Sequence, residues 1–140
     1  MNQVYNPYQT YKRQKNTEIQ TADRVKLVCM LMEGAICFNK KAIMAMEGND
    51  KSTALQLSDR GSKIVLHLYE SLDLGQEGEL LTQLTSLYSF MLNSYALFVK
   101  KENESIEPLE SINRVLSTLL DAWKKIDSGE VDWKGDLENE

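Results

Sequence analysis

The sequence predicts an all-α protein: an antiparallel up-down four-helix bundle with an N-terminal arm or short cap and a mobile acidic C-terminal tail. Three observations carry that expectation. Apolar residues recur at three- and four-residue spacing through four long segments, the period of an amphipathic helix. Only two Pro and seven Gly interrupt 140 residues, too few for a chain of many turns and short strands. The breaks between segments are short, which makes consecutive helices antiparallel neighbours. With 42% hydrophobic residues, the chain can bury one core without disulfide or metal staples.

Residues 1–20 read as a polar arm with Tyr5, Tyr8 and Tyr11 around Asn6-Pro7. The first helix is expected from about Ala22 to Glu47, after an N-cap candidate in Ile19-Gln20-Thr21 and before Gly48-Asn49-Asp50. Its stripe of Val25, Val28, Leu31, Met32, Ala35, Ile36, Ala42, Ile43 and Met46 covers about half the circumference at ~100° per residue. This should be the most buried helix. A second helix, Lys51 to Leu72, faces the core with Leu57, Gly61, Ile64, Val65, Leu68 and Leu72, Gly61 admitting a close neighbour. Gly75 is the expected left-handed cap beyond it.

The third helix, from Glu77 or Gly78 to Lys101, buries Leu80, Leu84, Leu87, Tyr88, Met91, Tyr95 and Phe98. Ser105 caps a fourth helix with Pro108 in its first turn, where a missing N–H costs little. That helix reaches Ile126 with Leu109, Ile112, Val115, Leu116, Leu119, Leu120 and Trp123 inward. The expected organisation is an arm at 1–20, a bundle domain at 21–126 and an acidic tail at 127–140.

The formal net charge of −5 falls within the tail, whose six acids face only Lys134, and leaves residues 1–126 neutral. A neutral body lacks the basic footprint that binds a phosphate backbone, so no nucleic-acid partner is expected. No run approaches the ~18 uncharged apolar residues that span a bilayer, and the amino terminus lacks a signal-peptide core. No membrane insertion is expected, and the location is expected to be cytoplasmic. Cys29 and Cys37 would lie about 12 Å apart along one helix, too far to bridge, and read as reduced, semi-buried thiols.

The chain lacks the residue patterns that catalytic chemistry would need. A di-iron bundle needs a Glu-x-x-His motif on each of two helices, and the chain has one histidine. No motif places a Ser or Cys beside His67, and neither a glycine-rich phosphate loop nor paired-cysteine zinc spacing occurs. The expectation is a protein that is not an enzyme, with no cofactor and no metal. One signalling alternative stays open, a phosphotransfer bundle using His67, which the helical wheel puts on the polar side beside Lys63 and Glu70.

Three helices carry more apolar residues than one core face needs. The second lines are Met30, Cys37 and Met44 on the first helix, Leu55, Leu66 and Tyr69 on the second, and Phe90 and Leu97 on the third. Contiguous exposed apolar surface marks a partner site, and methionines repack around varied shapes. Together the lines read as a client groove, with a helical interaction or dimerisation module as the alternative. The arm's tyrosines suit docking on such a surface, rings down and phenols wet.

The order of short motifs then resembles the FliS family, bacterial chaperones for flagellin export. Asn6-Pro7-Tyr8-Gln9-Thr10-Tyr11 is similar to the family's Asn-Pro-Tyr-x-x-Tyr opening. Thr21-Ala22 and Met30-Leu31-Met32-Glu33-Gly34-Ala35 are similar to its Thr-Ala-Ser-Pro and Met-Leu-Tyr-Asp-Gly-Ala segments. Ser71-Leu72-Asp73, Gly78-Glu79, Leu87-Tyr88-Ser89-Phe90-Met91 and Ala122-Trp123 follow in the family's order. Asp23-Arg24, Met32 and Asn93-Ser94 depart from it, standing where Ser-Pro, a tyrosine and two arginines are usual.

The resemblance implies an export chaperone that binds the disordered C-terminal segment of flagellin in the cytoplasm. It would prevent premature polymerisation and deliver the client to the flagellar type III secretion apparatus, with the export gate as a further partner. It also implies an N-terminal segment that covers part of the client surface when no client is bound. The candidate client-binding residues are Tyr8, Tyr11, Leu55, Leu66, Tyr69, Leu87, Tyr88, Phe90, Met91 and Leu97, on a monomer or weak homodimer.

Overall fold

The computed structural model describes Pro7 and residues 21–72, 78–100 and 104–130, leaving aside the side chains of Thr21 and Ala22. The rest of the tyrosine arm, Gly75 and the tail beyond Glu130 lie outside the described residues. Four long helices account for most of what is described: α1 Thr21–Glu47, α2 Lys51–Glu70, α3 Glu79–Val99 and α4 Glu107–Asp127. No strand occurs among the described residues.

The chain turns from α1 into α2 within three residues. Asn49 adopts a left-handed φ of 61°, which its short polar side chain tolerates better than a branched one would. Its N–H then donates to the Met46 carbonyl at 3.0 Å, and the Asp50 N–H donates to Ala45 at 2.8 Å. Those two bonds satisfy carbonyls that a helix end leaves open. Asp50 in turn starts α2, its carboxylate accepting the Thr53 N–H at 3.1 Å.

At α4 the Ser105 hydroxyl accepts the Glu107 N–H at 3.1 Å, with Pro108 in the first turn, as the sequence predicts. Gly129, at φ 84°, closes the far end. The expected ends hold within two residues; α2 stops at Glu70, two short of its expected end, with Ser71 and Leu72 in the turn beyond it.

Each helix packs on the next, and α4 returns to α1, so the four stand round a square with α1 and α2 in the most extensive contact. The expected stripes supply the core: Leu31, Met32, Val65, Met91, Leu109, Ile112 and Leu116 are fully enclosed. Burying each such side chain is worth about 1.5–3 kcal/mol. α1 is buried more widely than its stripe, because Leu27 and Cys29 are enclosed as well. Among the described residues, no helix is long and apolar enough to cross a membrane.

Candidate functional site

α2 and α3 leave an open groove of about 380 Å³ between them. α2 contributes Ser58, Ser62 and Leu66, α3 contributes Leu92, Tyr95, Ala96 and Val99, and the Asp59–Lys63 ion pair, at 3.0 Å, stands on the rim. That pair is exposed and holds little energy, and the open surface between the helices is chiefly apolar, from Leu66, Leu92, Ala96 and Val99. Leu66 and Val99 are 42% and 54% exposed. Both are large side chains facing water without cover among the described residues.

α3 presents a second apolar flank. Two residues on a helix turn through about 200°, so Phe90 cannot share a wall with Leu92, and neither Phe90 nor Leu97 lines the groove. They are 47% and 46% exposed. Met30, Cys37 and Met44 form a third strip on the outside of α1, at seven-residue spacing. The expectation of one groove gathering all three lines is therefore corrected: the lines lie on three faces. The reason is helical angle, since a line's position on its own helix does not fix where it stands relative to a neighbouring helix.

Behind the groove wall the bundle is polar. The Tyr95 hydroxyl donates to Asn39 Oδ1 of α1 at 2.7 Å, and Asn39 Nδ2 donates to Asn113 Oδ1 of α4 at 2.9 Å. Asn39 is wholly enclosed and Tyr95 nearly so. Burial pushes the Tyr95 phenol well above its usual value, which keeps it neutral and a donor. The sequence reading did not select Asn39; the signal was its place seven residues beyond Met32, a polar residue in the apolar stripe.

The profile of the family described as "Flagellar protein FliS" matches residues 5–130. The chain belongs to the FliS family. A relative from Campylobacter jejuni subsp. jejuni serotype O:6 (strain 81116 / NCTC 11828), named "Flagellar secretion chaperone FliS", is 27% identical over 106 residues. That alignment covers 76% of this chain and 81% of the relative.

The FliS-like segments divide between core and surface. In Met30–Ala35, Leu31, Met32 and Ala35 are buried while Met30 is exposed; the methionine that replaces a usual tyrosine is thus a core residue. In Leu87–Met91, Tyr88 and Met91 are 2% and 0% exposed. They fall with Tyr95 and Phe98 on the core face by three- and four-residue spacing, so they offer a client no surface here. Leu66, Phe90 and Leu97 stand outside, and Leu55, Tyr69 and Leu87 are half-buried. Tyr8 and Tyr11 lie outside the described residues. Val99, which the sequence reading missed, completes the groove wall one heptad beyond Leu92.

Two further expectations are corrected. His67 is buried, not exposed on a polar side. Two turns away along α2, Arg60 lies 5.9 Å from the centroid of the Phe38 ring of α1. A phosphotransfer reading loses its accessible histidine. The cysteines also differ: Cys37 is exposed, while Cys29 is buried, and desolvation, helped by Asp127 and Glu33, raises its thiol above the usual value. Among the described residues, no group of His, Cys, Asp or Glu is placed to hold a metal ion.

Proposed function

We propose that this chain is an export chaperone, without catalytic activity, that binds the disordered C-terminal segment of flagellin in the cytoplasm and hands it unpolymerised to the flagellar type III secretion apparatus. One observation carries the reading: Leu66, Val99, Phe90 and Leu97 remain exposed on a bundle whose core is already complete. Membership of the FliS family and the flagellar secretion chaperone from Campylobacter jejuni to which the chain is similar support it. The working unit is residues 21–126, with 1–20 as a removable cover through Tyr8 and Tyr11, and 127–140 as a tail.

A disordered client that folds on binding bears an ordering cost, which apolar burial must exceed. At about 25 cal/mol per Å², 1,000 Å² of apolar contact supplies about 25 kcal/mol before that cost and the loss of free tumbling. Micromolar to nanomolar affinity is the residue of such a sum.

Calorimetric titration with a flagellin C-terminal peptide tests the reading. Phe90→Asp is expected to weaken binding by about ten-fold or more while the helical signal and melting curve stay unchanged; equal affinity would overturn the assignment of that flank. Deleting residues 1–18 is expected to raise the binding of a hydrophobic dye, and an unaltered signal would end the cover proposal. Solution mass separates the other use of the same surface, since a stable dimer that buries Phe90 and Leu97 would replace the client.

A further inference from the structure

All four helices meet in one polar cross-section of a largely apolar bundle. Asn39 of α1 holds the Tyr95 hydroxyl of α3 on its oxygen and Asn113 of α4 on its nitrogen. α2 contributes the lack of a side chain: a Cβ at Gly61 would lie 2.5 Å from Asn39 Oδ1 and 2.8 Å from the Tyr95 oxygen. The Asn39–Tyr95 bond also crosses the square, joining helices that do not pack as neighbours.

Such a bond does what apolar contact cannot. Hydrophobic packing is non-directional, so a helix can turn or slide slightly with small penalty. A hydrogen bond weakens steeply with misalignment, and two buried partners left apart are each penalised. One polar residue in an apolar helix interface therefore fixes register at a cost in stability. Here the fixed helix is the one that bears both exposed apolar flanks, and Tyr95 itself lines the groove with Leu92, Ala96 and Val99.

We infer that the Tyr95–Asn39–Asn113 chain is a register lock that sets the rotation and depth of α3, making the wholly buried Asn39 a positioning residue for the α2–α3 groove. Its consequence for client binding rests on the chaperone reading; its consequence for groove geometry does not. Ser58 and Ser94, the other small polar groups buried nearby, bond within their own helices, to the Leu55 and Phe90 carbonyls. They leave the lock to the three named residues.

The test compares the full chain with Asn39→Leu/Tyr95→Phe, which replaces both buried partners by apolar groups of similar shape and leaves the half-buried Asn113 to water. Such paired replacement is near neutral for stability, so a merely structural role predicts no further change. Spin labels at Gln56→Cys and Asn93→Cys, both exposed, in a Cys37→Ser background report the α2–α3 distance by pulsed electron paramagnetic resonance. The double variant is expected to shift or broaden that distance by on the order of one residue's rise, about 1.5 Å, and to bind the flagellin peptide about ten-fold more weakly as preorganisation is lost.

An unchanged distance distribution overturns the lock. A changed distribution with unchanged peptide affinity overturns the positioning role of Asn39. Lack of peptide binding by the natural sequence overturns the chaperone reading instead, and the distances still decide the lock. If the double variant does not fold, Tyr95→Phe with the same labels gives the same decision, since it keeps the ring and removes only the donor.

Discussion

At the level of Gly61 the inside of the bundle holds Asn39, Ser58 and the Tyr95 hydroxyl, while a turn or two along α3 the outside shows Phe90, Leu97 and Val99. The inner groups are polar and each is hydrogen-bonded. The outer ones are apolar and uncovered among the described residues. Polar atoms inside limit how the helices can sit, and apolar atoms outside have value only when something arrives to cover them. The first region restricts the fold; the second leaves it open to a partner.

The sharpest way to break the contrast is to open the inner region. Asn39→Ala leaves the Tyr95 hydroxyl unpaired beside a new void, and urea unfolding is expected to show a loss of about 3 kcal/mol. Leu97→Ser, on the outside, is expected to change stability by less than about 0.5 kcal/mol. Comparable losses for the two would erase the distinction between the regions.

A smaller effect is expected at Gly61. Alanine gains about 1 kcal/mol of helix propensity, but its methyl group would press Asn39 and Tyr95 apart, and such overpacking costs about 1–3 kcal/mol. Gly61→Ala is expected to be destabilising by about 1 kcal/mol in the same measurement. A stabilised variant would show that the polar cross-section has slack.

The mildest probe is alkali. Tyr95 has a raised folded pKa, so the folded state holds its proton where the unfolded state, near the ordinary value of about 10, releases it. The contribution is whole below about pH 10 and is lost as pH rises through the folded value. Above pH 10, Tyr95→Phe is expected to flatten the fall of the urea midpoint with pH; a parallel fall in both proteins would remove Tyr95 from the account.

How much of this was legible depended on whether one helix or two had to be read. Apolar period and short breaks are properties of single segments, so the helices, the cap at Ser105 and the core stripes could be read directly. Gly61 could be recognised as a close approach, but not that side chains from α1 and α3 fill it. His67 looked exposed on its own wheel because the wheel does not say which flanks the neighbouring elements cover. The Leu87–Met91 signature likewise mixes enclosed Tyr88 and Met91 with exposed Phe90, a division that depends on where the neighbouring helices stand. Family likeness identified the segment without separating its two roles.

The three-residue turn at Gly48-Asn49-Asp50 has a consequence for how the chain assembles. It joins the two helices in most extensive contact, so the richest packing in the bundle is also the most local in sequence, and closing it forfeits little loop entropy. Local contacts of this kind favour rapid folding. The α1–α2 hairpin is thus the natural nucleus. Changes within it should slow folding, whereas changes at the face of α3 should mainly hasten unfolding.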